Sequence, residues 1–180
     1  FMLPHSILAL SVATPFFTRM SAHAEAGRIG DFRDDLSSSL RTILLLVVGG
    51  GAAVGAAAIP LAAFFDTDPA TVVGISSVLL AYLVGLVPFS AMFVLQRGFV
   101  ALADTRTPFL IQLIQGATAI GALSIVAVVV APGRPDAVGV AVAACTTVAS
   151  FVQAIVLALV LRRRIGGIDG RRVLVRLALF

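Results

Sequence analysis

The stretch VVGISSVLLAYLVGLVPFSAMFVLQ, residues 72–96, contains no charged side chain and consists mostly of Val, Leu, Ala and Phe. An α-helix needs about 20 consecutive apolar residues to cross the hydrocarbon core of a bilayer. Only helices and closed barrels satisfy their backbone hydrogen bonds in lipid, and the stretch lacks the polar–apolar alternation of a barrel strand. It therefore predicts a transmembrane helix.

The rest of the chain repeats this pattern. The sequence of 180 residues is 59% hydrophobic and 12% charged, whereas an average soluble domain is about 45–50% apolar and about 25% charged. We therefore expect an all-α fold, a polytopic transmembrane helix bundle with four full spans and two truncated ones. Because the apolar runs at both ends stop abruptly, we also expect the sequence to be a fragment of a longer membrane protein. The predicted spans are 1–18, 42–65, 72–96, 108–131, 138–161 and 173–180.

The arginines between the spans predict the orientation. Eleven of the thirteen lie in or beside the first, third and fifth loops, and Arg134 alone falls in the other two. Cytoplasmic loops carry the excess of basic residues, so we expect loops 19–41, 97–107 and 162–172 to be cytoplasmic. This topological role accounts for the basic residues, and no nucleic-acid partner is expected.

The first loop contains a candidate amphipathic elbow at residues 31–41. Asp31 is a suitable N-cap, and Phe32, Leu36 and Leu40 recur at the helical spacing that places them on one face. Such a helix is expected to lie at the cytoplasmic membrane interface and to lead into the next span.

Candidate catalytic groups are sparse. The run DFRDDL, residues 31–36, is similar to the aspartate clusters that hold magnesium, but Arg28 and Arg33 neutralise much of its charge and no second acidic cluster follows. A solvated helix face is the favoured interpretation. Cys145 is the only cysteine, and no Ser/His/Asp set, Cys/His set or phosphate-binding loop occurs. We expect no enzymatic activity, no metal and no cofactor.

Two other groups of polar residues are candidate site residues. Ser11, Thr14 and Thr18 share one face of the first span, and His5 lies near its start, so this face could line a polar cavity. Bonding of the hydroxyls to carbonyls of their own helix or to a neighbouring helix is the alternative, and it is favoured on the residues alone.

The turn LQRGFVALADTRTP, residues 95–108, is interpreted as a cytoplasmic hairpin. Thr107 is a suitable N-cap with Pro108 at the first helical position, and Asp104 could pair with Arg97 or Arg106. The head of Arg97 could extend to the level of the lipid phosphates. A structural role is expected for all five residues.

Taken together, several stretches resemble the MurJ/MviN family of lipid II flippases. The most specific is AYLVGLVPFSAMFVLQRGFVALADTRTP at 81–108, and LPHSILALSVATPFFTRMSAHAEAG, DFRDDLSSSLR and GVAVAACTTVASFVQAIVLALVLRRRIGG extend the likeness from residue 1 to about 170. The resemblance implies a place in the C-terminal lobe of a fourteen-helix, two-lobed transporter. It brings Ser11, Thr14 and Thr18 closer to a substrate cavity, while the family's diphosphate-binding arginines lie outside this sequence.

The function implied by the resemblance is the transfer of lipid II from the inner to the outer leaflet of the bacterial cytoplasmic membrane. Lipid II and membrane lipids are then the expected partners, with cell-wall proteins as further partners at the cytoplasmic loops. Export of another substrate on the same superfold and a non-transporting scaffold for cell-wall proteins are alternatives, and a membrane transferase for polyprenyl phosphates is a weaker one.

One departure from the family concerns the helix after the Thr-Pro turn. Some members carry Asn or Asp there, associated with a sodium site, where this sequence has Ala119 and Leu123. Sodium coupling through that site is therefore not expected. Gln112 and Gln115 are the polar groups of this helix, and their expected role is bonding to neighbouring helices.

Overall fold

The computed structural model of the protein describes residues 10–130 and 137–166, and this part of the chain is helical with no strand. The predicted all-α fold class is confirmed. The helices are α1 (Leu10–Glu25), α2 (Ile29–Ala56), α3 (Ala58–Ala63), α4 (Pro69–Ala101), α5 (Arg106–Ile125), which continues as a π-helical turn (Val126–Val130), and α6 (Val138–Ile165).

Four of these helices are long and apolar enough to cross a membrane. They are Ile29–Ala56, Pro69–Ala101, Arg106–Val128 and Val138–Ile165. The predicted span 173–180 and most of the predicted span 1–18 lie outside the described residues. By length and composition, these helices indicate a multi-pass membrane protein.

A turn of three residues, 26–28, joins α1 to α2, where the sequence predicted a loop over 19–41. Gly27, with a φ of +68°, provides the left-handed residue that reverses the chain, and α2 begins two residues later at Ile29. The prediction of Asp31 as the N-cap is wrong. Arg28 is the N-cap residue, and Asp31 lies in the first helical turn, where its charge still complements the helix dipole.

The segment 31–41 and the apolar run after it form a single unbroken helix, α2. Phe32 and Leu36 are fully buried and Leu40 is nearly so, because the apolar face packs against other helices of the bundle. This face therefore contributes to the protein core rather than contacting lipid.

Helix α2 ends at Ala56, and the short α3 follows after Ala57. Phe64 and Phe65 follow α3 with side chains more than three-quarters exposed. Asp68 then caps α4 by accepting hydrogen bonds from the backbone N–H and the hydroxyl of Thr71, both 3.0 Å long. Pro69 occupies the first helical position, where no backbone donor is needed.

The core lies among α1, α2, α4 and α6. Gly98 of α4 lies against Leu36 of α2 and Leu161 of α6, and all three residues are buried. Helices α4 and α6 form the most extensive helix pair, and Gly85 permits their close approach. A Cβ atom at Gly85 would lie 2.5 Å from Oγ1 of Thr147, so a larger residue would force the helices to shift.

Helix α5 lies at the margin of this core. In the apolar window of α5 only 6% of residues are buried, compared with 39% in the window of α4. Helix α5 packs mainly on α6 and only sparsely on α4. Among the described residues, two apolar helices of similar sequence character therefore have very different numbers of neighbours.

Candidate functional site

The predicted polar face of the first span is only partly described. His5 lies outside the described residues, and Ser11 lies in α1, although its side chain is not described. Thr14 and Thr18 are exposed, and the hydroxyl of Thr18 donates to the carbonyl oxygen of Thr14 at 3.2 Å. At Thr18 this bond is the back-bonding that the residues alone favoured. A role in lining a substrate cavity stays a prediction.

A charged network joins the ends of α1 and α2. The buried carboxylate of Asp35 lies 2.6 Å from Nη2 of Arg19, and Nε2 of His23 lies 3.2 Å from the other oxygen of Asp35. Nη2 of Arg28 lies 3.1 Å from Nδ1 of His23, and Nε of Arg28 lies 3.4 Å from Asp31. These contacts fasten the carboxyl end of α1 to the amino end of α2.

Sequence reasoning missed Asp35. The expectation of a solvated helix face is wrong at this position, because the Asp35 side chain is only 7% exposed. Asp35 is adjacent in sequence to Leu36 and three residues after Phe32, both on the buried stripe of α2, and that placement was the available signal. A carboxylate at the edge of a buried stripe needs a cationic partner, and Arg19 supplies it.

The predicted hairpin is present, but Asp104 rather than Thr107 satisfies the start of α5. Helix α5 begins at Arg106, so Pro108 lies at its third position. Asp104 accepts hydrogen bonds from the backbone N–H groups of Arg106 and Thr107, each 3.1 Å long, and from the Thr107 hydroxyl at 2.6 Å. The assignments of Thr107 as N-cap and Pro108 as the first helical residue are therefore wrong.

The ionic partner of Asp104 also differs from the prediction. Its carboxylate lies 2.6 Å from Nη1 of Arg164, and within residues 10–130 and 137–166 no ion pair joins it to Arg97 or Arg106. Hydrogen bonds from Thr107 and, to a smaller extent, the positive charge of Arg164 lower the pKa of Asp104 from its ordinary value of 3.8. The Asp104–Arg164 ion pair thus connects the hairpin between α4 and α5 to the end of α6.

Arg97 connects α1 to α4. Its guanidinium carbon lies 5.4 Å from the ring centre of Phe17 and 5.1 Å from that of Phe93. Both distances fall within the range of cation–π attraction. The Arg97 side chain therefore packs over two rings within the bundle, where the sequence suggested an extension toward the lipid phosphates.

The three basic loops meet at one end of the bundle. A guanidinium nitrogen of Arg33, in the first loop, donates to the backbone carbonyl of Ile165 at the end of α6. Arg164 contacts Asp104 in the third loop. The arginine count assigns these three loops to the same side of the membrane. The two contacts join the fifth loop directly to the first and to the third.

Four glutamines form a polar cluster among α4, α5 and α6. Oε1 of Gln112 accepts hydrogen bonds from Gln96 at 3.2 Å and from Gln153 at 2.9 Å, while its Nε2 donates to Gln115 at 3.0 Å. Gln112 therefore makes the helix-to-helix bonds expected of it, whereas Gln115 bonds within its own helix. Gln153 is only 2% exposed and was not singled out in the sequence, although it is the only amide side chain of span 138–161.

A groove lies beside this cluster, between α5 and α6. Its volume is about 630 Å³, and it runs from the level of Ile111 and Val156 to that of Ala122 and Ala144. Gln115 and Gln153 contribute to its wall, and Oε1 of Gln153 is buried without a hydrogen-bond partner among the described residues. The rest of the wall is almost entirely apolar, so the groove suits a hydrocarbon chain or an apolar side chain rather than a polar solute.

Metal ligation finds no support in the part of the chain that the structure describes. There, no group of three or more His, Cys, Asp or Glu side chains lies close enough to hold an ion. Ala119, at one of the positions that the resemblance associates with sodium, lies in the groove wall.

Comparison with known proteins gives the family. No curated protein sequence matches the chain. The structure is similar to a solved structure described as "Lipid II flippase MurJ, inward closed conformation", with a TM-score of 0.71 and 21% sequence identity. That match covers 88% of this chain and 32% of the solved chain, so the sequence spans about a third of its length. The family model described as "Lipid II flippase MurJ" matches residues 1–180, and the chain therefore belongs to the MurJ family of lipid II flippases.

Proposed function

We propose that the chain forms part of a transporter that moves lipid II, the lipid-linked peptidoglycan precursor, from the inner to the outer leaflet. The match of the family model to all of residues 1–180 carries this proposal, and the similarity of fold supports it. Transport of this kind would proceed by alternating access between two lobes, without covalent chemistry on the substrate.

The test uses the full-length protein in its own membrane. Depletion is expected to lower the amount of lipid II that an outer-leaflet probe reaches, and re-expression of the full-length protein should restore it. Unchanged outer-leaflet lipid II on depletion would contradict the proposal. It would favour export of another substrate or a scaffold for cell-wall proteins.

Within this function, α1 and the residues before it are proposed to line the substrate cavity through His5, Ser11, Thr14 and Thr18. The exposure of Thr14 and Thr18 on α1 supports this role, because both side chains are accessible to a substrate. Substitution of both threonines by Val should slow lipid II transfer in the same assay. Thr118→Val on α5 removes a hydroxyl that bonds to its own helix and is the matched control.

The proposed location is the bacterial cytoplasmic membrane, with loops 19–41, 97–107 and 162–172 in the cytoplasm. The contacts from Arg33 to Ile165 and from Arg164 to Asp104 support a common side for these loops, and their excess of arginine supports the cytoplasmic one. A cysteine at the exposed Ser38 should react with a membrane-impermeant maleimide only from the cytoplasmic side, and one at Thr71 only from outside. Reaction of both from the same side would exclude this topology.

A further inference from the structure

His23, near the end of α1, contacts charged groups through both nitrogens of its ring. Nε2 lies 3.2 Å from Oδ2 of Asp35 on α2, and Nδ1 lies 3.1 Å from Nη2 of Arg28 in the turn. The His23 side chain is 20% exposed, so water reaches the ring although most of it is enclosed. A change of charge on this ring would therefore act on α1, on the turn and on α2 together.

The two partners determine which ring nitrogen carries the proton when His23 is neutral. A guanidinium group only donates hydrogen bonds, so Nδ1 accepts from Arg28 and carries no proton. The proton of the neutral ring then lies on Nε2, which faces Oδ2 of Asp35. That oxygen is buried, and no other donor reaches it among the described residues. The contacts around the ring therefore select its neutral Nε2–H form.

A second carboxylate lies close to Nδ1 without accepting from it. Oδ2 of Asp31 is 3.8 Å from Nδ1, beyond the range of a hydrogen bond, and 3.4 Å from Nε of Arg28. A proton on Nδ1 would make this nitrogen a donor that faces a donor nitrogen of Arg28, so the two would repel. The side chains of Arg28 and Asp31 are each 57% exposed, so the first can move into water while the second approaches the ring.

We propose that His23 is a proton-operated switch at the junction of α1 and α2, in which a bound proton exchanges Arg28 for Asp31 as the partner of Nδ1. The neutral ring holds the side chain of the turn, whereas the charged ring lies between Asp31 and Asp35 and joins α1 to α2 alone. Histidine is the side chain that ordinarily changes its charge between about pH 5 and pH 8. Because segment 19–41 is proposed above to be cytoplasmic, the cytoplasmic pH would set the position of this switch.

The other charged groups of this region do not compete for Nδ1. The charged groups on the elements that pack around His23 are Arg19 and Glu25 of α1, Arg28 of the turn, Asp31 and Asp35 of α2, and Arg97 of α4. Arg19 contacts the other oxygen of the buried carboxylate, and Arg97 packs over two aromatic rings. Glu25 is exposed and makes no ion pair within residues 10–130 and 137–166. At Nδ1, Arg28 therefore opposes the proton and Asp31 favours it.

The experiment uses the full-length protein in phosphatidylcholine vesicles. Its histidines are labelled with ¹⁵N, and solid-state NMR follows the ring nitrogens between about pH 8 and pH 5. The signals of His23 are those that disappear in His23→Gln. At the upper pH they should be those of a neutral ring with its proton on Nε2, and at the lower pH both nitrogens should be protonated. A proton on Nδ1 at the upper pH, or a ring whose charge does not change, would overturn the proposal.

Substitution of the two alternative partners should move the midpoint of this titration in opposite directions. Arg28→Gln removes the charge that opposes the proton and should raise the midpoint, whereas Asp31→Asn removes the new partner and should lower it. Each shift should be roughly 0.5–1 pH unit, the size expected for unit charges about 4 Å apart at a solvated surface. A ring that merely packed between the two helices would not respond with opposite signs.

Glu25→Gln is the matched control for Asp31→Asn, because it removes an exposed carboxylate only two residues from His23 in the sequence. Residues two apart on a helix do not face each other, so the control should shift the midpoint less than Asp31→Asn does. Equal shifts from these two substitutions, or shifts of the same sign from Arg28→Gln and Asp31→Asn, would contradict the exchange of partners. None of these measurements involves lipid II, so the switch and the proposed transport function can fail independently.

Discussion

Helices α4 and α5 are adjacent in the chain and both apolar, yet they occupy opposite extremes of burial. Their most apolar windows have mean hydropathies of 2.4 and 1.8, while 39% of one window and 6% of the other is buried. Helix α4 packs against α1, α2, α3 and α6, whereas α5 depends on α6, the glutamine cluster and the Asp104 hairpin. Hydropathy thus indicates that a helix lies in the membrane but not how much protein surrounds it.

Glycine substitutions provide the largest test of this contrast. Gly85→Ala on α4 places a Cβ atom 2.5 Å from Oγ1 of Thr147 and 3.4 Å from its Cα. We expect a destabilisation of about 1–3 kcal/mol, because overpacking forces the α4–α6 pair apart. Thermal unfolding of the full-length protein in detergent measures the effect.

Gly116→Ala on α5 is the control, since nothing lies within 4 Å of its added Cβ atom. It should leave the unfolding temperature unchanged or raise it slightly, because Ala is the better helix former. Thr147→Ala should partly rescue Gly85→Ala by removing the hydroxyl that the new methyl group meets. Equal effects of the two glycine substitutions would show that α4 and α5 are not packed differently.

Substitutions in the hairpin between α4 and α5 should change the free energy of unfolding by an intermediate amount. Asp104→Ala removes the acceptor for three hydrogen bonds at the start of α5 and should cost about 1–2 kcal/mol. Asp104→Asn keeps the oxygen that accepts from the two backbone N–H groups and loses the oxygen that faces Arg164 and accepts from the Thr107 hydroxyl, so it should cost less than Asp104→Ala. If Asp104→Asn were as harmful as Asp104→Ala, the contacts of that second oxygen rather than the backbone cap would hold the hairpin.

The stability of the folded protein should depend on pH through the carboxylate of Asp104. Because folding lowers the pKa of Asp104 from 3.8, its contribution to stability is complete above that value and is lost as the pH falls toward the lowered one. Between about pH 5 and pH 3 the wild-type protein should therefore lose more stability than Asp104→Ala, as followed by unfolding temperature. If the unfolding temperatures of the two proteins fell in parallel as the pH is lowered, Asp104 would not be the titrating group.

The apolar runs were sufficient to predict the helical class, because crossing a bilayer imposes a length and a composition that can be counted. The capping residues were not predictable in the same way. Thr107 precedes Pro108 and satisfies a general rule, but Asp104 reaches the free N–H groups of Arg106 and Thr107 because of the turn before α5. In that turn Ala103 has a φ of +55°, a conformation that the sequence around it does not indicate.

Partners distant in the sequence were also beyond prediction. Gln112 was expected to bond to another helix, but its partner Gln153 lies 41 residues away on α6. Asp35 and Arg19 likewise face each other only because α1 and α2 fold into a hairpin. Hydropathy and helical periodicity place each residue on a face of its own helix, and the packing of the helices then decides which faces meet.

The glutamine cluster provides the smallest and most local test of how α5 is held. Gln112→Leu removes three hydrogen bonds, two of them to α4 and α6, and should cost between about 0.6 and about 1.7 kcal/mol, the mean and the maximum measured for polar contacts between membrane helices. It should also speed hydrogen exchange in α5 more than in α4, because α5 has few other contacts. Thr118→Val, which breaks bonds within α5 alone, is the control for any loss of polarity. Equal exchange in the two variants would mean that apolar contact with α6 and the Asp104 hairpin suffice to hold α5.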